Sequence, residues 1–492
     1  MASWRNQRPG VVDAINDDHG KAKMSAPAKP AELGDGEHLK VLGYEDSFNR
    51  SMSLWANFAL GFTYLSPLVG VYSLFALALT VGGPPSIWWI VIVGAGQLLV
   101  SLVFGEVVSQ YPIHGGIYPW ARRLWGRRYA WMAAWVYIWA MIVTITAVAE
   151  YGSGFTASLF GIEHTADTTL WITLGLLLVA LAINLSGTKW LARVARIGLA
   201  AELVGVIGLG LYLLVFQRKQ EFGVFFDTMG VEGDGSYLTA FVGAALAGLF
   251  LFYGFEACGD VAEEVENPAR RIPKAMIMTI LVGGVSALFS FGGYVLAAPD
   301  LGAIVAGEDV DPIPAILEST LGPVGAKLFL VVAVTAFLSC VLSLQAAASR
   351  ALIAVLVWLN ADLLYPVTAF AVLGIYVAFQ MVVLASLRQR FRGWKPAGAF
   401  SLGRWGIIVN VAALAYGVFA MVLLATPGTS GDVVTDWIVL IGLGVVLVSG
   451  LAYLLLARPD RKSDAPADDA LEVADRLRAH REERAAAPTA VN

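Results

Sequence analysis

The sequence is poor in cysteine and in charge. Its 492 residues include two cysteines, Cys258 and Cys340, and both lie in apolar stretches. Two cysteines in separate apolar stretches exclude a disulfide framework and a cysteine-based metal site. We therefore expect both to be free, buried thiols. Charged residues make up 14% of the chain, against 58% hydrophobic residues, and the mean hydropathy is +0.69. This composition is typical of an integral membrane protein.

The sequence also lacks the motifs of nucleotide-driven and metal-dependent proteins. It contains no phosphate-binding loop of the GxxxxGK[ST] type and no cluster of histidines and cysteines. We therefore expect no enzyme activity, no cofactor, no metal and no nucleic acid partner.

The two ends of the chain are polar. Residues 1–40 contain no apolar segment that would form a cleavable signal peptide. We expect a disordered cytoplasmic segment over residues 1–45, a transmembrane domain over 46–457 and a cytoplasmic tail over 458–492. Within the tail, Ala470–Ala487 carries only a thin apolar stripe, which predicts a solvated surface helix or disorder rather than a partner-binding helix.

Long apolar stretches fill the region between the two ends. About 20 apolar residues are needed to cross the ~30 Å hydrocarbon core of a bilayer. By this measure the sequence predicts an all-α membrane protein with eleven full spans and a leftover apolar piece. The predicted spans are Leu54–Thr80, Ile87–Val108, Tyr129–Tyr151, Leu170–Leu185, Ile197–Phe216, Leu238–Ala257, Ala275–Ala298, Val324–Ala348, Leu363–Leu387, Trp405–Ala425 and Trp437–Ala457.

Basic residues are concentrated in alternate loops, which fixes the expected orientation. Cytoplasmic loops of membrane proteins are enriched in Lys and Arg, whereas the intervening loops here are biased towards acidic residues. Both termini are therefore expected in the cytoplasm of a multi-pass plasma-membrane protein. The basic clusters contain Arg122, Arg123, Arg127 and Arg128, then Lys189, Arg193 and Arg196, then Arg270, Arg271 and Lys274, and finally Arg388, Arg390, Arg392, Lys395 and Arg404.

This orientation leaves one crossing unaccounted for. The spans ending near Arg350 and at Leu387 both have to end in the cytoplasm, so the chain must cross outward between them. Only Ala351–Leu359 is available, which forms ~13 Å of helix against the ~30 Å required. We infer that a cytoplasmic loop and most of one span are missing here. The alternative is a short, tilted or re-entrant segment held against its neighbours.

Two spans are interrupted in corresponding positions. In the first span, Thr63, Tyr64 and Ser66 precede Pro67, which removes a helical hydrogen bond and frees backbone groups near Thr63 and Tyr64. In the sixth span, the apolar run meets Gly254 and Glu256. Either interruption alone has a simple explanation as a kink satisfied by neighbouring helices. Together, five spans apart, they predict a ligand site near the middle of the membrane.

Three segments carry a resemblance to a known family. They are RSMSLWANFALGF (Arg50–Phe62), GEVVSQYPIHGGIYPWARRLWG (Gly105–Gly126) and GFEACGDVAEEVENPARRIPKA (Gly254–Ala275). They resemble the amino acid–polyamine–organocation (APC) permeases, most closely the amino acid, 4-aminobutyrate and choline branch. The resemblance implies secondary active uptake and a leucine-transporter-type fold with an inverted five-plus-five repeat and nominally twelve spans. Relative to this pattern, most of the ninth span is absent after Arg350.

The two interruptions define the expected substrate site. The open helix ends would attract a substrate carboxylate, and the freed carbonyls and hydroxyls would receive an ammonium group. Glu256 has three possible roles: it pairs with a substrate cation, carries a coupling proton, or caps the interruption by accepting backbone N–H groups. The expected site residues are Thr63, Tyr64, Leu65, Ser66, Tyr253, Gly254, Phe255, Glu256 and Ala257, with the rings of Tyr253 and Phe255 enclosing the cavity.

Other charged groups in the spans are candidates for coupling or gating. An acid inside a span is costly and marks a functional hypothesis. Glu202 in the fifth span, near the positions where the family resemblance places a coupling ion, competes with Glu256 for the coupling role. Glu150, near the outer end of the third span, either carries the proton or reaches the interface. At the cytoplasmic end of the second span, Glu106 is expected to form a gate ion pair with the arginines that include Arg122 and Arg123.

These features predict a permease that moves a small amino acid or related amine by alternating access. We expect transport to be coupled to an ion, and the expected ion is a proton. Its expected partners are the small-molecule substrate, the coupling ion and the lipid bilayer. The alternatives are a transport-impaired membrane protein that lacks a span, and a choline or polyamine carrier.

Overall fold

The computed structural model describes residues 34–45, 50–185, 196–309, 311–344, 364–427 and 432–486. Over these residues the secondary structure is helical, apart from an isolated bridge between Met52 and Val265. Ten helices are long and apolar enough to cross a membrane, and a shorter apolar helix covers Tyr237–Leu251. The predicted all-α membrane architecture is confirmed.

The first half of the chain contains five long apolar helical regions, the first of them divided into two helices. Gly and Pro mark the divisions, since a kink at Ser66-Pro67 separates α2 from α3 and Gly126 separates α5 from α6. The helices are α1 (Asp35–Leu42), α2 (Leu54–Leu65), α3 (Pro67–Gly82), α4 (Trp88–Gln110), α5 (Ile117–Trp125), α6 (Arg127–Phe160), α7 (Ala166–Leu185) and α8 (Arg196–Phe216).

The second half contains a divided sixth region and five further long helices. The helices are α9 (Tyr237–Gly243), α10 (Ala245–Leu251), α11 (Ala257–Asp260), α12 (Pro268–Ala297), α13 (Leu301–Val305), α14 (Pro312–Leu344), α15 (Leu364–Phe391), α16 (Gly406–Leu424), α17 (Val433–Ala457) and α18 (Ala470–Ala486).

Within the described residues, nine of the predicted spans each coincide with one helix, and most of these helices extend a few residues beyond the predicted ends. The predicted span Leu54–Thr80 is divided between α2 and α3, and the predicted span Leu238–Ala257 covers α9, α10 and the start of α11. Helix α6, Arg127–Phe160, extends beyond the predicted span Tyr129–Tyr151 at both ends. Helix α14 bends at Gly322, which has a positive φ of 70° and precedes Pro323, so the straight part begins where the span was predicted at Val324. The leftover piece Ala351–Leu359 lies outside the described residues, and the missing ninth span therefore stays a prediction.

The helices differ in how deeply they are buried, and this identifies the centre of the bundle. In the most apolar window of the region Leu54–Gly82, 78% of the residues are buried, against 17% for Ala166–Leu185 and for Val433–Ala457. A peripheral helix exposes its apolar side chains to lipid, so low burial there is expected. The divided first region is thus central, and α7 and α17 lie at the edge.

The terminal segments differ from their prediction. Residues 35–42, which were expected to belong to a disordered segment, form α1, and its Leu39 and Leu42 are buried. Helix α18 was expected to be solvated, but the side chains of Val473 and Leu477 are fully buried. The thin apolar stripe is sufficient because α1 and α18 pack against each other. Both helices also bond to Gln110 at the end of α4, through His38 and the Ala470 carbonyl, and Arg123 of α5 donates to the Leu42 carbonyl. We call the assembly of α1, α5 and α18 the terminal cap.

Candidate functional site

The first interruption lies between α2 and α3. Helix α2 ends at Leu65, and the Ser66 N–H still donates to the Phe62 carbonyl at 2.8 Å. Ser66 then adopts the left-handed conformation with φ of 46°, an uncommon conformation for a residue other than glycine. Pro67 starts α3 and has no N–H, so the Thr63 carbonyl loses its helical partner. The predicted loss of helical bonding beside Thr63 is therefore present.

The second interruption lies between α10 and α11. Helix α10 ends at Leu251, and the helix resumes at Ala257. Gly254 has a φ of 101°, which favours glycine. A Cβ atom at Gly254 would lie 2.6 Å from Cδ1 of Tyr64 and 2.7 Å from the backbone N of Leu65. The two interruptions are therefore in direct contact, as expected for one shared site.

Glu256 closes the second interruption. Its carboxylate accepts the Gly254 N–H at 2.8 Å and the Tyr137 hydroxyl at 2.9 Å. The side chain is fully buried. Of the three roles considered for Glu256, these contacts match the capping of freed backbone groups. Tyr137 on α6 was missed by the sequence reasoning, because nothing in its apolar neighbourhood distinguishes it from a packing residue.

Glu202 closes the first interruption from α8. The Ser66 hydroxyl donates to one carboxylate oxygen of Glu202, and the Leu68 N–H donates to the other at 3.2 Å. A π-helical turn, Leu203–Gly208, follows directly; such turns are frequent at functional sites. The carboxylate lies at the positive end of α3. The protein's own acid thus occupies the helix end where a substrate carboxylate was expected.

Helices α6 and α14 also contact the interruptions. The Tyr64 hydroxyl contacts the sulfur of Met141 on α6 at 3.6 Å, and the Cys340 thiol on α14 lies 3.9 Å from the Tyr64 carbonyl. Asn57 on α2 donates to the carbonyl of Cys258 on α11 at 2.9 Å. Helices α2, α6, α11 and α14 therefore converge around the interruptions. Asn57 was missed, although an amide in an apolar stretch is a recognisable signal.

The expected site residues lie together and are shielded from solvent. Phe255 differs from its expected place, because its ring packs against Phe104 and Phe379 at centroid distances of 5.7 and 5.4 Å. It therefore fixes the interruption against α4 and α15, whereas Tyr253 packs against Phe250. The residues buried at the two interruptions are Thr63, Tyr64, Leu65, Ser66, Tyr253, Gly254, Phe255, Glu256 and Ala257.

The expected gate pair at Glu106 has a different partner. Glu106 is fully buried and forms its ion pair with Arg390 at the end of α15, not with Arg122 or Arg123. The Leu402 N–H also donates to Glu106, at 2.8 Å. Arg122 and Arg123 are directed elsewhere because their helix, α5, belongs to the terminal cap, where they donate to carbonyls of the C-terminal tail and of α1.

Arg122 and Arg123 hold the terminal cap in place. Arg122 donates to the carbonyls of Ser463, Ala465 and Pro466, the first of these at 3.0 Å. Arg123 pairs with Asp469. Burial raises the pKa of the Asp469 carboxyl, and the nearby Arg123 opposes this shift. The arginines thus fasten the C-terminal tail across the end of the bundle.

A cavity opens at the opposite end, on the side predicted to be extracellular. Its volume is about 390 Å³, and its lining includes Tyr72, Glu150 and Tyr151. Tyr151 packs against Phe250, whose ring in turn lies 5.5 Å from that of Tyr253. A short run of aromatic rings therefore separates this cavity from the second interruption.

Comparison with known proteins identifies the family. The family model of the amino acid permeases matches residues 52–354, which is more than half of the chain. The chain belongs to the amino acid permease family. The resemblance inferred from the three motifs, two of which lie wholly within the matched residues, is confirmed.

The permease has relatives along most of its length. It is 27% identical to an amino-acid permease BAT1 homolog of Oryza sativa subsp. japonica, covering 88% of this chain and 95% of the relative. It is 25% identical to the amino-acid permease BAT1 of Arabidopsis thaliana, over 79% of this chain and 88% of the relative. A polyamine transporter of Saccharomyces cerevisiae is 24% identical over 60% of this chain. The relatives are named as transporters rather than enzymes, and the permease is a multi-pass membrane transporter.

Solved structures show the same fold. A manganese transporter of Eremococcus coleocola aligns with a TM-score of 0.52 at 12% sequence identity, covering 84% of this chain and 98% of that chain. At this identity the likeness concerns the fold alone, which is the leucine-transporter-type architecture expected from the motifs.

Proposed function

We propose that the permease carries a small amino acid or related amine across the plasma membrane by alternating access, coupled to protons. The observation that carries the proposal is the contact between the two interrupted helices, with one buried carboxylate closing each interruption. Paired interruptions of this kind supply unsatisfied backbone groups for a polar substrate in the middle of a bilayer.

The substrate ammonium group has acceptors at the first interruption. The Thr63 carbonyl has no helical partner, and the Tyr64 carbonyl lacks the Leu68 N–H, which donates to Glu202 instead. Such carbonyls bind a cation without adding a formal charge to the site. Tyr253 adds an aromatic surface beside them. An amine-bearing substrate suits these groups, and the polyamine transporter among the relatives is compatible with this class of ligand.

Glu202 is the proposed coupling residue. Its carboxylate connects α8 to Ser66 and to the start of α3, so its protonation changes the contact between two helices that must move relative to each other. An ionised carboxylate accepts both N–H and O–H donors, whereas the neutral acid has one fewer acceptor position and becomes a donor. Protonation would therefore loosen α3 from α8. Glu256, already held by Tyr137 and Gly254, is the second candidate.

The proposed orientation places both termini in the cytoplasm. The basic loops and the terminal cap lie at one end of the bundle, as the enrichment of Lys and Arg in cytoplasmic loops requires. The Glu106–Arg390 pair then forms part of the cytoplasmic gate, with Arg122 and Arg123 supporting it through the cap.

Uptake of radiolabelled compounds into proteoliposomes tests the transport function. The panel should include small amino acids, amines, polyamines and choline, with a pH gradient of either direction. We expect saturable uptake of at least one amino acid or amine that is faster when the outside is acidic. If folded, inserted protein takes up none of these compounds, the transport function is wrong and the chain is better described as transport-impaired.

The coupling role has its own test. Glu202→Gln keeps the shape of the side chain and removes its titration, so we expect pH-driven uptake to be lost while exchange of substrate across the membrane persists. Glu163→Gln, at an exposed acid in the loop before α7, is the matched control. An unchanged proton dependence in Glu202→Gln would remove Glu202 from the mechanism.

A further inference from the structure

Glu150 has an unusual environment. It lies in α6, its exposed fraction is 9%, and its side chain lines the outer cavity. Within the part of the chain that the structure describes, the carboxylate has neither a hydrogen bond nor an ion pair. The Ser153 hydroxyl donates to the backbone carbonyl of Glu150, at 2.7 Å, and not to its side chain.

A buried carboxylate without a protein partner destabilises the fold unless a ligand pairs with it. Burying a carboxylate without a partner is costly, whereas burying it beside a cation recovers much of the cost. The two carboxylates that close the interruptions, Glu202 and Glu256, each accept two hydrogen bonds. Glu150 is thus distinct from these acids, because its oxygens are directed to the cavity without protein donors.

The rim of the cavity adds a second acid. Asp311, directly before α14, lines the same cavity with its carboxyl group surrounded by protein although part of the residue reaches the surface, and it accepts a long hydrogen bond of 3.4 Å from the Ser158 hydroxyl. His164 also lines the rim and lies close enough to Asp311 to affect its titration. Burial raises the pKa of the Asp311 carboxyl, and the charge of His164 opposes this. Glu150 and Asp311 thus both line the cavity, and their carboxyl oxygens are acceptors for a cation.

The side chains that line the cavity favour an organic cation over a metal ion. Tyr72, Tyr151 and Phe155 line the cavity, and aromatic faces attract ammonium groups. The volume of about 390 Å³ falls within the range of roughly 300–1,000 Å³ typical of small-molecule sites. The described residues contain no group of three or more His, Cys, Asp or Glu side chains arranged to hold a metal. The shape and lining match a small alkylammonium compound.

We propose that the outer cavity is a second binding site, separate from the interruptions, for an organic cation whose ammonium group pairs with Glu150. The aromatic rings hold the alkyl part, and Asp311 attracts the cation at the rim. The inference rests on the proposed function only in identifying this cation with the class of transported amines. On the predicted orientation, the cation meets this site before it reaches Tyr253.

Calorimetric titration of the full-length, detergent-solubilised permease tests the site. The probe is butylammonium chloride, with butanol as its neutral counterpart. We expect saturable binding of butylammonium and at least tenfold weaker binding of butanol. Glu150→Gln should weaken butylammonium binding at least tenfold. Glu318→Gln, an exposed acid on α14 outside the cavity, should leave it within twofold.

Two further variants separate the charge of Glu150 from misfolding. Glu150→Asp keeps the charge and should bind better than Glu150→Gln. If Glu150→Gln does not yield folded protein, Asp311→Asn provides the test, with an expected weakening of about two- to fivefold from the loss of one nearby charge.

Equal binding of butylammonium by the wild type and Glu150→Gln, or equal binding of butylammonium and butanol, would overturn the second site. The uptake panel separates this failure from failure of the transport function. Glu150-dependent binding without any uptake would contradict transport and support the site. Uptake with Glu150-independent binding would support transport and contradict the site.

Discussion

The two ends of the bundle differ in how their charged groups are satisfied. At the outer end, Glu150 faces a cavity without a partner among the described residues. At the opposite end, Glu106 pairs with Arg390, and Arg123 pairs with Asp469. Acidic residues are thus present at both ends, but at the outer end Glu150 is available to a cation, whereas at the inner end the acids are paired with arginines.

This difference indicates which side of the bundle is closed. A buried ion pair stabilises little relative to apolar packing, but breaking it by removing one partner is costly. The end with paired charges is therefore closed by contacts that are costly to break, whereas the outer end is open down to the aromatic rings near Tyr151. The two interruptions lie between these ends.

The largest expected effect comes from the contact between the interruptions. Gly254→Ala places a Cβ within 2.6 Å of Tyr64 and requires a φ of 101° for alanine. Backbone strain and overpacking together cost about 2–6 kcal/mol. We expect uptake to fall by at least about 100-fold, measured in proteoliposomes with equal amounts of inserted protein.

Gly393→Ala is the matched control for this substitution. Gly393 has a similar φ of 93°, but a Cβ there meets nothing within 4 Å. It therefore carries the backbone strain without the clash, and uptake should fall less than fivefold. Equal losses in the two variants would show that the contact between the interruptions has no special role.

The next effect concerns the buried pair at the closed end. Glu106→Gln removes the charge that balances Arg390, whose side chain is 7% exposed. We expect about 3–5 kcal/mol of destabilisation at the end of α15, measured as faster hydrogen exchange. Glu472→Gln disrupts an exposed pair with Arg476 and should change stability by less than about 0.5 kcal/mol. Comparable exchange in both variants would contradict a fastened inner end.

The packing of the terminal cap predicts a smaller loss. Leu477 is fully buried in α18, so Leu477→Ala removes apolar contacts and should destabilise the cap by about 2–3 kcal/mol. Leu471 lies on the same helix with an exposed fraction of 36%, and Leu471→Ala should have little effect. Hydrogen exchange in α1 and α18 measures both. Protection of α1 that is unchanged in Leu477→Ala would show that the two helices are independent.

Per unit of pH, the smallest effect is a pH dependence of the cap. Burial lowers the pKa of His38 from 6.5 to about 4, despite its hydrogen bond to the Gln110 carbonyl at 3.0 Å. Arg481 and Arg50 lower this pKa further, and Asp35 raises it. His38 binds a proton near pH 6.5 when the cap is open, but only near pH 4 when the cap is closed. The free energy that keeps the cap closed is therefore fully present above pH 6.5 and decreases as the pH falls from 6.5 to 4.

The free energy of opening the cap should change by at most about 1.4 kcal/mol per pH unit in this range. Hydrogen exchange of α1 measured across this range should show the loss in the wild type and not in His38→Gln. Stability of the cap that increases on acidification would contradict the burial of neutral His38.

Local signals predicted the spans and the two interruptions. Hydropathy alone located the long helices, because their apolar length is fixed by the bilayer. The interruptions were visible because Pro67 cannot donate a backbone hydrogen bond and Gly254 tolerates a positive φ. Both properties belong to the residue itself and need no knowledge of its neighbours.

Partnerships between distant residues were not predictable. Glu106 was assigned to the arginines that follow it in sequence, but its partner, Arg390, is 284 positions away. The bond from Ser66 to Glu202 and the burial of α18 are likewise products of packing. A thin apolar stripe predicts exposure when a helix is considered alone, and only the presence of α1 makes it a buried surface.

Distances across both ends of the bundle, measured with and without substrate, give the decisive test of alternating access. One spin-label pair at Glu163→Cys and Glu318→Cys spans the outer cavity, and another at Arg404→Cys and Glu482→Cys spans the inner end. The native cysteines Cys258 and Cys340 are buried and should not be labelled. Alternating access predicts reciprocal changes: when substrate shortens the outer distance, the inner distance lengthens. Distances that stay fixed, or that lengthen together at both ends, would contradict alternating access.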